Sequence, residues 1–191
     1  MSGAAPEAIV IGASAGALEA LSSLLPGLAA DYRLPILIVV HLPPHKNSLF
    51  AQLLRARCAI QVREAEDKEP IKPGVAYFAP PDYHLLVEDD RRLSSSGDEP
   101  VLFSRPSIDV LFESAADAYR GGLIGLVLTG ANSDGARGLK AVVEAGGLAI
   151  VQSPDGAHAA AMPEAAIAAC PDARVLPLNE IAEYMREVGA R

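Results

Sequence analysis

The 191-residue sequence has no tryptophan, only two cysteines and no excess of basic residues. Its 16 Lys and Arg against 24 Asp and Glu give a net charge of -8, and no basic stretch offsets the acids. This balance argues against non-specific binding to nucleic acid. Cys58 and Cys170 stand alone, without the paired spacing of a zinc site or a redox motif, so we expect two reduced, buried thiols.

Long apolar segments and low-complexity repeats are also missing. No run reaches the ~18 apolar residues that a membrane-spanning helix needs, and the N-terminus lacks the basic region and apolar stretch of a signal peptide. Half of the residues are nonetheless hydrophobic and 21% are charged, as is normal for a globular protein. We therefore expect a cytoplasmic protein, not inserted in a membrane, with residues 1–191 forming a single domain.

Apolar runs alternate with helical segments along the chain. The strands are expected at residues 8–12, 35–41, 59–64, 75–79, 84–88, 91–95, 123–128, 148–152 and 174–177. The helices are expected at residues 16–29, 46–57, 107–120 and 134–145, after Pro163 and from about residue 179. Wholly apolar runs are typical of strands buried on both faces. The order predicts an α/β fold: a doubly wound, mostly parallel sheet covered by helices on both faces, with a small antiparallel hairpin.

A serine follows the first predicted strand, within the sequence Gly12-Ala13-Ser14-Ala15-Gly16. The glycines permit a sharp strand-to-helix turn, and the small neighbours allow a substrate to approach the serine hydroxyl. Because the pattern G-x-S-x-G is loose, an ordinary tight turn with Ser14 as the N-cap of the next helix explains it as well.

Two further polar residues follow buried strands. His41 ends the run at 36–40, and Asp134 lies in the loop after the run at 123–128. The carboxyl ends of parallel strands meet at one edge of a sheet, so these residues and Ser14 are predicted to lie together. His41 is then placed to act as general base for the serine, with Asp134 fixing its tautomer. Taken singly, His41 is also explained as a histidine bonded at a strand end, and Asp134 as a carboxylate at a helix N-terminus.

Several segments of the sequence together carry a resemblance to a known family. The longer ones are residues 12–16, 40–44, 73–80, 105–112 and 128–135, and the shorter ones are residues 64–67 and 162–163. In this order they resemble the catalytic domain of the chemotaxis-receptor glutamate methylesterases (CheB-type), over nearly the whole chain. The order Ser–His–Asp differs from that of the α/β-hydrolases, chymotrypsin and subtilisin.

The resemblance implies hydrolysis of γ-glutamyl methyl esters on the cytoplasmic helices of methyl-accepting chemoreceptors, with release of methanol, and deamidation of certain receptor glutamines. It implies that Ser14 is the nucleophile, His41 the base and Asp134 its orienting partner, with no metal and no organic cofactor. The oxyanion donors of the family match the backbone N–H groups of Ala15 and Ala131.

Arg105 and Met162 are lesser candidates, for substrate binding. Arg105 would contact the substrate main chain or a receptor carboxylate, although an arginine near a helix start is as often a solvated neighbour. Met162 belongs to one of the shorter matching segments. His45, His84 and His158 are not expected to take part in catalysis.

Four positions depart from the residues usual in the resembled family. Ala15, Ala17, Ala131 and Asn132 stand where the family commonly has Thr, Gly, Met and Gly. Ala15 and Ala131 keep their N–H groups, so we expect the departures to affect the choice of substrate rather than the triad. Asn132 replaces a residue that adopts positive φ freely, and asparagine tolerates that conformation better than most residues.

Two alternatives of other classes remain. The four departures favour a non-catalytic signalling scaffold of the same fold. A dinucleotide-binding turn is disfavoured because Ser14 and Ala17 replace the second and third glycines of G-x-G-x-x-G. A fluorophosphonate probe separates the enzyme from the scaffold: labelling at Ser14 favours the enzyme, and no labelling favours the scaffold.

The start of the chain suggests a hypothesis about control. The resembled family generally carries an N-terminal receiver domain, and only about seven residues precede the first predicted strand. The expectation is a free-standing domain, either open at all times or gated by a separate regulatory protein.

Overall fold

The computed structural model describes residues 4–41 and 47–190, apart from the side chains of residues 47–49. Predictions that fall on residues 42–46, including His45, lie outside the described residues. The strands are β1 (Ala8–Ala13), β2 (Ile36–Val40), β3 (Gln61–Glu64), β4 (Val75–Phe78), β5 (His84–Val87), β6 (Leu93–Ser96), β7 (Leu123–Val127), β8 (Leu148–Gln152) and β9 (Arg174–Leu176). The α-helices are α1 (Ala17–Leu24), α2 (Asn47–Arg55), α3 (Ile108–Tyr119), α4 (Ala136–Glu144), α5 (Ala161–Ala169) and α6 (Leu178–Gly189).

The main sheet has seven strands in the order β3-β4-β2-β1-β7-β8-β9, and all neighbouring pairs are parallel. The strands β5 and β6 form a separate antiparallel pair. Because β2 and β7 lie on opposite sides of β1, the chain winds outward from β1 in both directions. The prediction of a doubly wound α/β fold with an antiparallel hairpin is confirmed.

Alternation along β1 divides the core into two layers. Ile9 and Ile11 face the layer that contains buried residues of α1 and α6. Ala8 and Val10 face the opposite layer, which contains buried residues of α3, α4 and α5. Both faces of the central strands are therefore covered, as a parallel sheet requires.

The predicted helix at 16–29 is too long. α1 ends at Leu24, and a 3₁₀ turn that contains Pro26 follows it, because proline has no N–H to continue the helical hydrogen bonds. Leu18, which the sequence pattern places on the buried side of this helix, is 40% exposed.

Two other helix starts differ from prediction. α4 begins at Ala136, after the N-cap residue Gly135 with φ of 98°, so Asp134 lies in the preceding loop. α5 begins at Ala161, before Pro163, since a proline in the first helical turn removes no intrahelical hydrogen bond.

Candidate active site

Three adjacent strands bring the predicted residues to one edge of the sheet. β2, β1 and β7 lie side by side, and each runs in the same direction. Ser14 follows β1, His41 follows β2, and the loop at residues 129–135 follows β7. The structure therefore brings Ser14, His41 and Asp134 to one edge, as parallel topology predicts.

The turn after β1 depends on both glycines of the sequence pattern. A Cβ on Gly12 would lie 2.3 Å from Cγ2 of Ile108, so only glycine permits α3 to approach β1 this closely. Gly16 has φ of 82°, a conformation that favours glycine, and it is the N-cap of α1. Ser14 is therefore not the N-cap that the alternative interpretation of the turn predicts.

The Ser14 side chain is partly exposed at this turn. Its backbone N–H donates to the Thr129 carbonyl at 2.9 Å, which ties the turn to the loop after β7. Within residues 4–41 and 47–190, the Ser14 hydroxyl has no hydrogen-bond partner.

His41 and Asp134 form a close pair. Nε2 of His41 lies 2.7 Å from Oδ2 of Asp134. The Asp134 side chain is fully buried, and that of His41 is 12% exposed. The pair spans two loops whose residues are 93 positions apart, so it exists only because β2 and β7 flank β1.

Asp134 also closes the N-terminus of α3. Its Oδ1 accepts hydrogen bonds from the Ser107 hydroxyl and the Asp109 N–H, both at 2.9 Å, and its Oδ2 accepts one from the Ile108 N–H at 2.7 Å. Burial by itself raises the pKa of Asp134, but the hydrogen bonds from His41, Asp109 and Ile108 outweigh it and hold the pKa below its ordinary value. Asp134 is thus a charged acceptor for four donors.

Asp109 accepts hydrogen bonds at the N-terminus of α4, as Asp134 does at the N-terminus of α3. Oδ1 of Asp109 accepts the N–H of Gly135 at 3.0 Å and that of Gly138 at 2.7 Å, at the start of α4. Burial raises the pKa of Asp109 and the nearby Asp134 carboxylate adds to the increase, although the hydrogen bond from Gly138 opposes it. Asp134 therefore caps α3, the helix that contains Asp109, and Asp109 caps α4, the helix that begins just after Asp134. Sequence reasoning missed Asp109, and it placed Asp134 at the N-terminus of α4, whereas Asp134 accepts hydrogen bonds at the N-terminus of α3.

Ser107 occupies the N-cap position of α3. It makes no side-chain cap bond, because its hydroxyl donates to Asp134 instead. Its N–H donates to Nδ1 of His84 at 3.1 Å, and Nε2 of His84 donates to the Glu99 carbonyl at 3.0 Å. Both ring nitrogens of His84 are thus engaged with the backbone around the start of α3, which supports the expectation that it is not catalytic.

Asn132 contacts both partners of the pair. Its Oδ1 accepts the Asp134 N–H at 3.1 Å, and its Nδ2 lies 3.3 Å from Nδ1 of His41. Its φ is not positive, so the anticipated need for positive φ at this position does not arise. Sequence reasoning identified Asn132 only as a departure from the family pattern and did not predict its contact with His41.

Two backbone N–H groups, one in the turn after β1 and one in the loop after β7, have no hydrogen-bond partner among the described residues. The N–H groups of Ala15 and Ala131 donate no hydrogen bond to any residue in the described part of the chain. The Ala15 carbonyl, on the other side of the residue, accepts a hydrogen bond from the Thr129 hydroxyl at 2.8 Å. A cavity of about 240 Å³ adjoins this turn and is lined by residues that include Gly16 and His158.

Arg105 and Met162 occupy different environments from the triad. The Arg105 guanidinium donates to Oδ1 of Asp82 and to the carbonyls of Gly97 and Asp98, within a surface loop. Met162 is fully buried, and its N–H donates to the Gly130 carbonyl at 2.9 Å. This hydrogen bond links the start of α5 to the loop after β7. These contacts do not by themselves support a direct substrate contact for either residue.

Residues 4–41 and 47–190 contain no group of three or more His, Cys, Asp and Glu side chains arranged to hold a metal ion. None of the helices described there is long and apolar enough to cross a membrane.

The part of the chain that contains this site is similar to known proteins. A family model described as CheB methylesterase matches residues 9–185. A Leptospira interrogans protein, provisionally named protein-glutamate methylesterase/protein-glutamine glutaminase, is 52% identical over 177 residues, which cover 93% of this chain and 92% of the relative. The Archaeoglobus fulgidus protein-glutamate methylesterase/protein-glutamine glutaminase is 39% identical over 178 residues, covering 92% of this chain and 51% of the relative. The crystal structure of the Thermotoga maritima CheB methylesterase catalytic domain is 31% identical with a TM-score of 0.91, covering 96% of this chain and 98% of that one.

Proposed function

This chain belongs to the CheB methylesterase family, and from that premise we propose that it hydrolyses glutamyl methyl esters on a chemoreceptor or similar chemosensory protein through Ser14, His41 and Asp134. The observation that carries the assignment of residues is the 2.7 Å contact between His41 and a buried Asp134, at the sheet edge where Ser14 is partly exposed. This arrangement supplies a nucleophile, a base and an orienting carboxylate.

The proposed reaction uses the ring nitrogen of His41 that Asp134 leaves available. The Ser14 oxygen attacks the ester carbonyl carbon while its proton passes to Nδ1 of His41. The bond from carbon to the methoxy oxygen then breaks, that oxygen takes the proton from His41, and methanol leaves. A water molecule gives a proton to His41 and attacks the acyl-enzyme, and the glutamate carboxylate is released as Ser14 regains its proton. Deamidation of glutamine follows the same steps with ammonia as the leaving group.

The negative oxygen that forms on the attacked carbon needs hydrogen-bond donors. The N–H groups of Ala15 and Ala131 are our candidates, because they lie in the loops after β1 and β7 and are unoccupied by described residues. The bond between the Thr129 hydroxyl and the Ala15 carbonyl fixes the adjacent peptide. Backbone donors explain how alanine is tolerated at both positions, since a side chain is not needed for this role.

The wider setting is part of the same proposal. The names of the relatives specify esters and amides on proteins, and we extend both activities to this chain, in the cytoplasm and with residues 1–191 acting as one catalytic domain. Control by a separate regulatory protein at the edge that holds Ser14 is the corresponding hypothesis for regulation. The proposed steps require neither a metal nor an organic cofactor.

Release of methanol from a methyl-esterified chemoreceptor cytoplasmic fragment tests the function. The wild-type chain is expected to release methanol, and Ser14→Ala is expected to release almost none while unfolding at nearly the same temperature. Running the assay with and without acetyl phosphate tests regulation, and equal rates are expected. No release by the wild type, across fragments of several receptor types, would favour the non-catalytic scaffold.

A further inference from the structure

We propose that Asn132 is a positioning residue that occupies the catalytic nitrogen of His41 in the free protein and must give it up before Ser14 can be activated. The inference rests on the proposed function, since it concerns the same histidine. It is carried by the placement of the Asn132 side chain between Asp134 and His41.

The orientation of the Asn132 amide follows from its backbone partner. The Asp134 N–H can only donate, so the Asn132 atom that lies 3.1 Å from it is the oxygen. The nitrogen of the amide therefore faces His41 at 3.3 Å and can only donate to the ring. Nδ1 of His41 must then be the acceptor, and the ring proton must be on Nε2.

The other side of the ring leads to the same tautomer. Asp134 is held in its charged form, so its Oδ2 accepts a hydrogen bond from Nε2 of His41 at 2.7 Å. Nδ1 is consequently the one ring nitrogen with a lone pair, as the proposed reaction requires. Asn132 thus selects the tautomer that catalysis needs but also covers the lone pair that catalysis uses.

Ser14 and Asn132 compete for this lone pair. A neutral imidazole nitrogen has a single lone pair in the plane of the ring, and two donors cannot both align with it well. The structure matches this expectation, because Asn132 faces Nδ1 while the Ser14 hydroxyl is unbonded within residues 4–41 and 47–190. Once Nδ1 has taken the serine proton, it no longer accepts from Asn132, so the contact must break during each reaction cycle.

The contact is weak enough to be displaced. At 3.3 Å it is longer than a typical N–H···N or N–H···O hydrogen bond, and it lies in a partly exposed site. Removing a hydrogen bond of this kind is expected to change the reactivity of Ser14 about 2- to 10-fold. The sign is the distinctive part: loss of Asn132 makes Ser14 more reactive in the free protein.

Asn132→Ser is the most informative variant. A serine hydroxyl accepts a hydrogen bond from the N–H two residues later, as asparagine does here, but it is too short to reach His41. We measure the rate at which a fluorophosphonate probe labels Ser14 at neutral pH, below saturation. Labelling of Asn132→Ser is expected to be about 2- to 10-fold faster than that of the wild type. Ser133→Ala, an exposed neighbour in the same loop, is the matched control and is expected to label at the wild-type rate.

The outcomes separate this inference from the proposed function. Equal or slower labelling of Asn132→Ser, with wild-type labelling intact, overturns the inference alone, because a purely supporting role for Asn132 predicts slower labelling. Failure of both proteins to react at Ser14 overturns the proposed function and this inference together. If Asn132→Ser is poorly folded by thermal unfolding, Asn132→Gly is measured in its place and is judged by the same criterion.

Discussion

The two halves of the site are built in opposite ways. The acid half, around Asp134, is buried, and its carboxylate accepts four hydrogen bonds from His41 and from the start of α3. The serine half has a partly exposed Ser14 whose hydroxyl is unbonded among the described residues, and the N–H groups of Ala15 and Ala131 donate no hydrogen bond there either. The first half is part of the folded core, whereas the second leaves its polar groups available for a substrate.

This contrast indicates what each half contributes to the reaction. In the acid half, the position of Asp134 is fixed by hydrogen bonds that also stabilise the fold, since Asp134 and Asp109 cap the N-termini of α3 and α4. Changes there are expected to affect stability and activity together. Changes in the serine half are expected to affect activity alone.

The largest effect is expected at the histidine that joins the two halves. His41→Ala removes the proposed base and should lower kcat by up to ~10⁶-fold, as losses of a triad histidine do elsewhere. Ester hydrolysis measured beside thermal unfolding checks this. Retention of more than about a tenth of the wild-type rate would contradict the role of His41.

The second prediction compares the two carboxylates. Asp134→Asn places an NH₂ group opposite donors, so we expect kcat to fall about 10⁴-fold and the free energy of unfolding to fall by roughly 2–5 kcal/mol. Asp109→Asn keeps an oxygen for Gly135 and Gly138 and should change stability by about 1 kcal/mol or less.

Denaturant unfolding of both variants, with activity measured on the same preparations, is the check. Equal losses of stability in the two would show that the distinction between them is wrong.

A smaller effect is expected from a methyl group at the junction of the halves. Gly12→Ala would place a Cβ 2.3 Å from Ile108, whose N–H donates to Asp134. We expect a loss of about 1–3 kcal/mol from overpacking, together with lower activity. Ala13→Gly, one position along, adds no atom and serves as a control for crowding. A stable, fully active Gly12→Ala would mean that the close approach of α3 is not needed.

The smallest effect is expected in how the free energy of unfolding depends on pH under acidic conditions. The pKa of Asp134 is lowered in the fold, so its stabilisation is present above the ordinary aspartate pKa of about 3.9 and is lost as pH falls through its lower folded value. The raised pKa of Asp109 has the opposite sign, because stability is lost as pH rises through it. Below about pH 4, the free energy of unfolding of Asp134→Asn should therefore depend less on pH than that of the wild type. An equal or steeper dependence in the variant would count against a lowered pKa.

The sequence predicted the fold class and the meeting of three side chains because both depend on where buried strands end. Ser14, His41 and Asp134 each follow such a strand, and parallel order brings those ends together. The helix end at Leu24 differs from the prediction because Pro26 interrupts the helical hydrogen bonds, although buried leucines continue to Leu28.

The reciprocal capping by Asp109 and Asp134, and the contact of Asn132 with His41, could not be predicted from the sequence alone. They join residues that are 25 to 91 positions apart, and no local pattern specifies which donor a carboxylate or amide will face. The loop after β7 held the signal for Asn132, since that residue departs from the usual family pattern there.

Identification of the residue modified by a fluorophosphonate tests the central claim most directly. Intact-mass measurement and peptide mapping of the wild-type chain should find one adduct, on Ser14, and His41→Ala should form it far more slowly. An adduct on another residue, or equal rates in the wild type and His41→Ala, would contradict the account.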